Sequence, residues 1–266
     1  MRPIVSAESV TELGPEARGA VLVAGSHGGR IAGIYAAMAG AHAVILNDAG
    51  VGKDGAGIGA LGELEAIGMA AATAAHTSAR IGDGADMLAR GRISHANAPA
   101  AQCGVVRGMS VRDAAVMLSA APAPHSAPRE TTEGRTLLAV GPPEVWGLDS
   151  LGLLVDADAG RILVIGSHGA LQGGRPETAL RARARAAVFN DAGIGVDGAG
   201  LTRLPVLSAQ GIPAATVDCM SARIGDCRSM WASGVVSRVN AVAEQHGARR
   251  GQAVSAFVAR VGGGSP

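Results

Sequence analysis

Aromatic residues are almost missing from this chain: two Trp, one Tyr and two Phe in 266 residues, or 2%. That removes the stacking platforms on which single-stranded nucleic acid is bound. Net charge is +1 and no basic run occurs, so the electrostatic footprint of a nucleic-acid binder is missing as well. Three cysteines, Cys103, Cys219 and Cys227, are too few and too irregularly placed for a disulfide framework. No stretch reaches the roughly 18 apolar residues of a membrane span. No long apolar segment follows Arg2, so no secretory signal is expected. These absences lead to the expectation of a bacterial-type, cytoplasmic protein with a small-molecule substrate and no nucleic-acid or membrane partner. Lysine is the scarcest charged residue: Lys53 stands alone against 22 arginines.

What is present is repetition. Hydrophobic residues make up 48% and charged residues 17%, a globular composition. "VLVAGSHGG" at 21–29 matches "ILVIGSHGA" at 162–170, "NDAGVGKDGAG" at 47–57 matches "NDAGIGVDGAG" at 190–200, and "SARIGDG" at 78–84 matches "SARIGDC" at 221–227. Asn47 and Asn190 are 143 residues apart, as are Ser78 and Ser221, whereas Ser26 and Ser167 are 141 apart. The second copy is therefore expected to gain two residues in its first helix. Self-similarity of this kind is a strong sequence signal. It divides the chain into a first repeat at 1–118, a Pro/Ala/Ser-rich linker at 119–135 and a second repeat at 136–266. The terminal "GGGSP" is expected to fray.

Within each repeat short apolar runs alternate with helical segments. "AVLVAG", "AHAVILND" and "MAAATAAH" read as buried strands. "GRIAGIYAAMAG" and "GALGELEAIG" read as helices, and two more are expected near Gly84–Arg90 and Ser94–Gly104. "RPIVSA" and "RTLLAVG" are expected to add a strand before each unit. The fold class expected is α/β, an internal duplication of two Rossmann-like three-layer (α/β/α) halves with mostly parallel sheets, related by a pseudo-two-fold axis.

Every repeated motif follows a predicted strand, and ligands of open parallel sheets bind beyond the strands' carboxyl ends. "GSHGG" gives Ser26, His27 and Gly28 at a strand-to-helix turn, where backbone N–H groups approach an anion. The glycine-rich loop gives Asn47, Asp48, Asp54 and Gly55. "SARIGD" gives Ser78, Arg80 and Asp83; arginine suits a carboxylate or phosphate, and an Arg–Asp clamp on the loop is the structural alternative. Their counterparts are Ser167, His168, Asn190, Asp191 and Arg223.

Over about a dozen residues the glycine loop resembles the metal-binding N-D-D-G strand-end loop of the SurE-type survival-protein nucleotidases. Asn47, Asp48, Gly50, Gly57 and Ile58 carry the resemblance, and Ala49 stands where that family has its second acid. The resemblance implies a divalent metal and phosphatase chemistry.

Differences between the copies are informative, because whatever the fold requires also repeats. Lys53 faces Val196, His76 faces Cys219, Ala75 faces Asp218, and Cys103 faces His246. A lysine in a poorly solvated glycine-rich pocket becomes a base or nucleophile. The leading expectation is thus a hydrolase of an amide, cyclic amide or ester in a small polar or anionic metabolite. Lys53, Ser26, His27, Asp48 and Asp54 are its catalytic residues, and no cofactor is needed. Gly28, Asn47, Gly55, Ser78, Arg80, Asp83, Ser167, His168, Asn190, Asp191 and Arg223 bind substrate at the cleft between the halves. One alternative is a metal-dependent hydrolase or phosphatase with His27, Asp48, Asp54 and Asp83 as ligands of a divalent ion. Another is a non-catalytic metabolite-binding protein. A homo-oligomer is the prior for an alanine-rich α/β chain of this size.

Overall fold

A computed structural model describes residues 1–129 and 131–263. Glu130, inside the expected linker, and 264–266, at the tip of "GGGSP", lie outside the described residues. The chain forms two compact units. One comprises 1–51, 55–132 and 195–197; the other comprises 52–54, 133–194 and 198–266. Each unit therefore includes a three-residue segment distant from the rest of it in sequence.

The first unit runs β1 (Ile4–Ala7), β2 (Val21–His27), α1 (Arg30–Met38), β3 (Ala43–Asn47), α2 (Ala60–Glu65), β4 (Ala70–Ala74), α3 (Gly84–Arg90), β5 (Ile93–Ala96), α4 (Ala98–Gln102) and α5 (Val111–Leu118). Its sheet has the order β1-β2-β3-β4-β5, parallel except for the antiparallel β5. The strands are continuously apolar because both faces are covered. Strand period two sends Val21, Val23, Ala43 and Ile45 into one core with Met87, Val111 and Leu118. Leu22, Ala24, Val44 and Leu46 enter the other with Ala32, Ala36 and Leu64. Small residues let the layers close up: a Cβ on Gly33 would lie 2.7 Å from the Cβ of Ala60.

The second unit runs β6 (Arg135–Ala139), β7 (Val145–Leu148), β8 (Ile162–His168), β9 (Ala186–Asn190), α6 (Arg203–Ala209), β10 (Ala214–Val217), α7 (Cys227–Ser233), β11 (Val236–Val239), α8 (Ala241–Gln245) and α9 (Val254–Gly262). The sheet order is β11-β10-β9-β8-β7-β6, with β7 to β10 parallel and both edge strands antiparallel to their neighbours. The chain is thus an α/β protein with two mixed, mostly parallel sheets.

Three expectations about elements change. The helix expected at 94–104 is β5 followed by α4. Asn97 marks the break: its side-chain oxygen caps Ala100 N–H and accepts from Ala71 N–H at 3.0 Å, and Pro99 sits at the helix start. "RTLLAVG" is the extra antiparallel strand β6, and β7, "VWGL", takes the parallel place beside β8. Finally, the helix expected between β8 and β9 is replaced by two 3-10 turns, Gln172–Gly174 and Pro176–Thr178. Gly173 and Gly174 adopt positive φ there, and Pro176 follows, so no α-helix propagates. Arg203 stands where the first repeat has Ala60 and is 1% exposed. Its guanidinium lies 5.5 Å over the Phe189 ring and donates to the carbonyls of Thr178 and Ala179. No helix of the described residues is long and apolar enough to cross a membrane.

Candidate functional site

The three motifs of the first unit meet at the carboxyl ends of β2, β3 and β4. His27 is in register with Asn47, and Asn47 with Ala74. Gly28 N–H donates to Asn47 O at 2.6 Å, Asp48 N–H to Ala74 O at 2.9 Å, and Gly82 N–H to Gly25 O at 2.8 Å.

The glycine loop has an unusual backbone. Ala49, Gly50, Val51 and Gly52 all have positive φ (47°, 76°, 63° and 71°), followed by Asp54 and Gly55 at 56° and 69°. For a β-branched residue such as Val51 this is a genuine outlier, and such conformations cost of order 1–3 kcal/mol each. The loop is held by side-chain acceptors at its root. Asn47 Oδ1 accepts Ala49 N–H at 2.9 Å and Asp48 Oδ1 accepts Gly50 N–H at 3.1 Å. Asn47 is fully buried and its amide donates to Ala79 O, so both ends of its side chain are bonded within the unit. The same outliers recur at Ala192, Ile194 and Asp197, and Asn190 makes the same bonds to Ala192 N–H and Ala222 O.

The most chemically suggestive pair joins Asp48 to a residue not among those expected to act. Asp48 Oδ1 accepts both the backbone N–H of His76, at 2.9 Å, and a hydrogen bond from His76 Nδ1 at 2.8 Å. Asp48 is buried, whereas the His76 side chain is 24% exposed and its Nε2 has no partner among the described residues. Burial raises the Asp48 carboxyl pKa, but the His76 ring and N–H outweigh it and hold the group below the usual carboxylate range. A buried carboxylate thus fixes the Nδ1–H tautomer and leaves Nε2 as the ring's acceptor nitrogen. The signal in the sequence was the His76/Cys219 difference at the end of the third strand. It lacked a partner until folding brought Asp48 alongside.

Ser26 is buried, and its hydroxyl accepts Val10 N–H at 3.0 Å; Ser167 does the same for Leu151 N–H at 2.9 Å. Both anchor the turn after the first parallel strand. His27 Nδ1 accepts Gly29 N–H at 3.1 Å, which leaves its proton on Nε2. Burial lowers the His27 pKa to about 4, so the ring is a neutral donor at pH 7. His168 repeats the bond with Ala170 N–H at 3.3 Å. Gly28 packs against backbone: a Cβ there would lie 2.5 Å from Gly57 O.

A pH prediction follows. The His27 pKa is depressed on folding, so the unfolded chain takes up this proton first. The stability it carries is complete above pH 6.5 and is lost as pH falls toward 4, by about 3 kcal/mol at full extent. Urea unfolding at pH 7, 5.5 and 4 should show a flatter profile for His27→Gln than for the wild type; parallel profiles would contradict this.

Ser78 bridges the chain, donating to Ala75 O at 2.8 Å and accepting Arg92 N–H at 2.9 Å. Asp83 caps α3 through Asp86 N–H. The Arg80 guanidinium is 2.9 Å from Asp86, a bond that raises its pKa, and its charge is compensated there. Arg90 joins the same cluster, bonding Asp86 and, at 2.6 Å, Asp197 of the 195–197 segment.

In the second unit the corresponding groups carry different charges. Ser229 replaces Asp86 and accepts Arg223 N–H at 3.0 Å, and Arg223 pairs with Asp226 at 2.9 Å and with Asp54 at 3.1 Å. Ser233 replaces Arg90. There Lys53 of the 52–54 segment donates to Ser233 Oγ at 2.9 Å and to Ser221 O at 3.3 Å. In the sequence alignment Lys53 faces Val196 and Ser233 faces Arg90, so one cation lies on the loop beside Ser233 and the other on the helix at Arg90. Lys53 is thus engaged with Ser221 and Ser233 of its own unit, and the Ser26 hydroxyl is engaged with Val10 N–H.

Asp191 accepts Gly193 N–H and Cys219 N–H at 3.0 Å each, but Cys219 cannot supply an imidazole. Burial and the Asp218 charge raise the Asp191 pKa, with hydrogen bonds from Ser237 and the backbone only partly offsetting them. Burial and the neighbouring Asp191 and Asp218 charges push the Cys219 thiol up to about 12, far from a thiolate nucleophile. Oxygen and sulfur atoms of Asp191, Asp218 and Cys219 lie within 4.8 Å of one another, the one such group of potential metal donors found among the described residues. His27, Asp48, Asp54 and Asp83 form no such group: the first two are committed within the strand ends, Asp54 is exposed on Arg223, and Asp83 caps a helix.

No protein-family model, no curated protein and no solved structure matches this chain.

Proposed function

We propose that the protein is a hydrolase of an amide, cyclic amide or ester in a small polar metabolite, built as an internal duplication of Rossmann-like halves. The observation that carries this reading is the Asp48–His76 pair, at 2.8 Å, beside a strained loop at the strand carboxyl ends. In the proposed reaction His76 Nε2 takes a proton from water as it attacks the substrate carbonyl. Asp48 holds the imidazolium formed, and the proton then passes to the leaving nitrogen or oxygen. The neutral Nε2–H of His27, two strands away, supplies a donor for the developing oxyanion. Lys53, Ser26 and Arg80 shape the loops in this reading, because each is already bonded.

The test is a panel of cyclic amides, linear amides and esters. The wild type should turn over at least one member, and His76→Ala should lower kcat/KM by about 10²–10⁴-fold. An inert wild type, or His76→Ala within threefold of it, defeats the reading. The alternative reading is a metal-dependent hydrolase or phosphatase. Loss of turnover with chelator and recovery with zinc would favour that alternative.

A further inference from the structure

The second unit has a basic depression of about 360 Å³ away from the strand-end motifs. Arg238, Glu244, Arg249 and Arg250 line it. Arg238 lies on β11 opposite Thr216, in the edge strand, and Arg249 and Arg250 lie in the turn between α8 and α9. No ion pair joins any of these four among the described residues, and the one bond of the Arg238 guanidinium is to Ser237 O at 2.7 Å.

We infer that this depression binds the dianionic phosphate of a small phosphomonoester. Three guanidinium groups against one carboxylate leave a formal charge of +2. A phosphomonoester carries about −1.5 to −2 at pH 7, so the charges match, and planar guanidinium forks suit phosphate oxygens. The fold itself does not require three of these four charges. At the corresponding positions of the first repeat stand His95, Ala101, Val106 and Arg107, in an otherwise equivalent strand–helix–turn. Three like charges with only one acid repel one another, and an anion between them removes that repulsion.

The experiment is an NMR titration of the full-length protein at low salt, following the backbone amides of Arg238, Arg249 and Arg250. Methyl phosphate and inorganic phosphate should shift them. Dimethyl phosphate, a monoanion like the links of a nucleic acid or a diester lipid, should bind about fivefold or more weakly. The Arg249→Ser/Arg250→Ser double variant should raise Kd about tenfold or more, and Glu244→Gln should lower it about two- to fivefold. The three substituted side chains are exposed, so both variants should keep the wild-type spectrum elsewhere. The proposal is overturned if phosphate at about 10 mM leaves these amides unmoved. It is also overturned if the diester binds as tightly as the monoester, or if Glu244→Gln weakens binding.

Discussion

Gly57→Ala should lower the thermal midpoint by about 10 °C, a loss of about 3–5 kcal/mol. A Cβ at this position would lie 2.1 Å from Asp48 O and 3.0 Å from Val51 O. Both obstacles are backbone atoms, so no side chain can rotate away. They also belong to the hydrogen bonds that close the loop, Val51 N–H to Asp48 O and Gly57 N–H to Val51 O, each 2.7 Å. Relieving the clash therefore breaks the loop that positions Asp48. Gly200→Ala meets the same obstacle at 1.9 Å from Asp191 O and should behave alike. Gly62 is the control: it lies inside α2, a Cβ there would meet nothing within 4 Å, and Gly62→Ala should gain about 0.5–1 kcal/mol. Differential scanning calorimetry of the three variants decides it; a Gly57→Ala midpoint within about 2 °C of the wild type would refute the close-approach account.

The second large effect is expected at Arg203. Arg203→Ala should cost about 3–5 kcal/mol, because it empties a buried site and strands two carbonyls, those of Thr178 and Ala179. Arg203 Nε has no partner and no carboxylate pairs with the guanidinium among the described residues, so part of the charge's burial is uncompensated. Arg203→Met keeps most of the volume and removes the charge, and should lie between the wild type and Arg203→Ala. Urea unfolding of the three proteins reads the order directly. Equal midpoints for the wild type and Arg203→Ala would mean that the turns at 172–178 hold themselves without this side chain.

Much of the architecture is legible because it depends on local pattern. The runs "VLVAG", "AVILN" and "AAATA" are apolar throughout, as strands covered on both faces must be, and each is a parallel strand. The helix replaced between β8 and β9 is misread when repeat alignment outweighs local chemistry; "QGGRP" disfavours a helix on its own terms. The strand β5 escapes for a different reason. "ISHA" is too short to declare itself, and it is a strand because β4 supplies its ladder.

The lone lysine shows the other boundary. Its rarity draws attention to a real asymmetry, but rarity carries no direction. Only the fold shows that Lys53 donates to Ser233, the residue aligned with Arg90, while Arg90 itself bonds Asp197. His76 is likewise visible as a difference and silent as a function, since Asp48 is 28 residues away in the chain.

By itself, then, the sequence determined the alternation of buried strands and helices, the repeated loops and their place at the strand ends. Those features follow from side-chain periodicity and from glycine's backbone freedom, which act over a few residues. Tertiary structure decided which polar groups are committed and which remain available. Ser26, Asn47 and Arg80 are hydrogen-bonded within the loops, and His76 Nε2 of the Asp48–His76 pair has no partner among the described residues. That division depends on distances between residues far apart in the chain, where a displacement of about 1 Å separates a hydrogen bond from none.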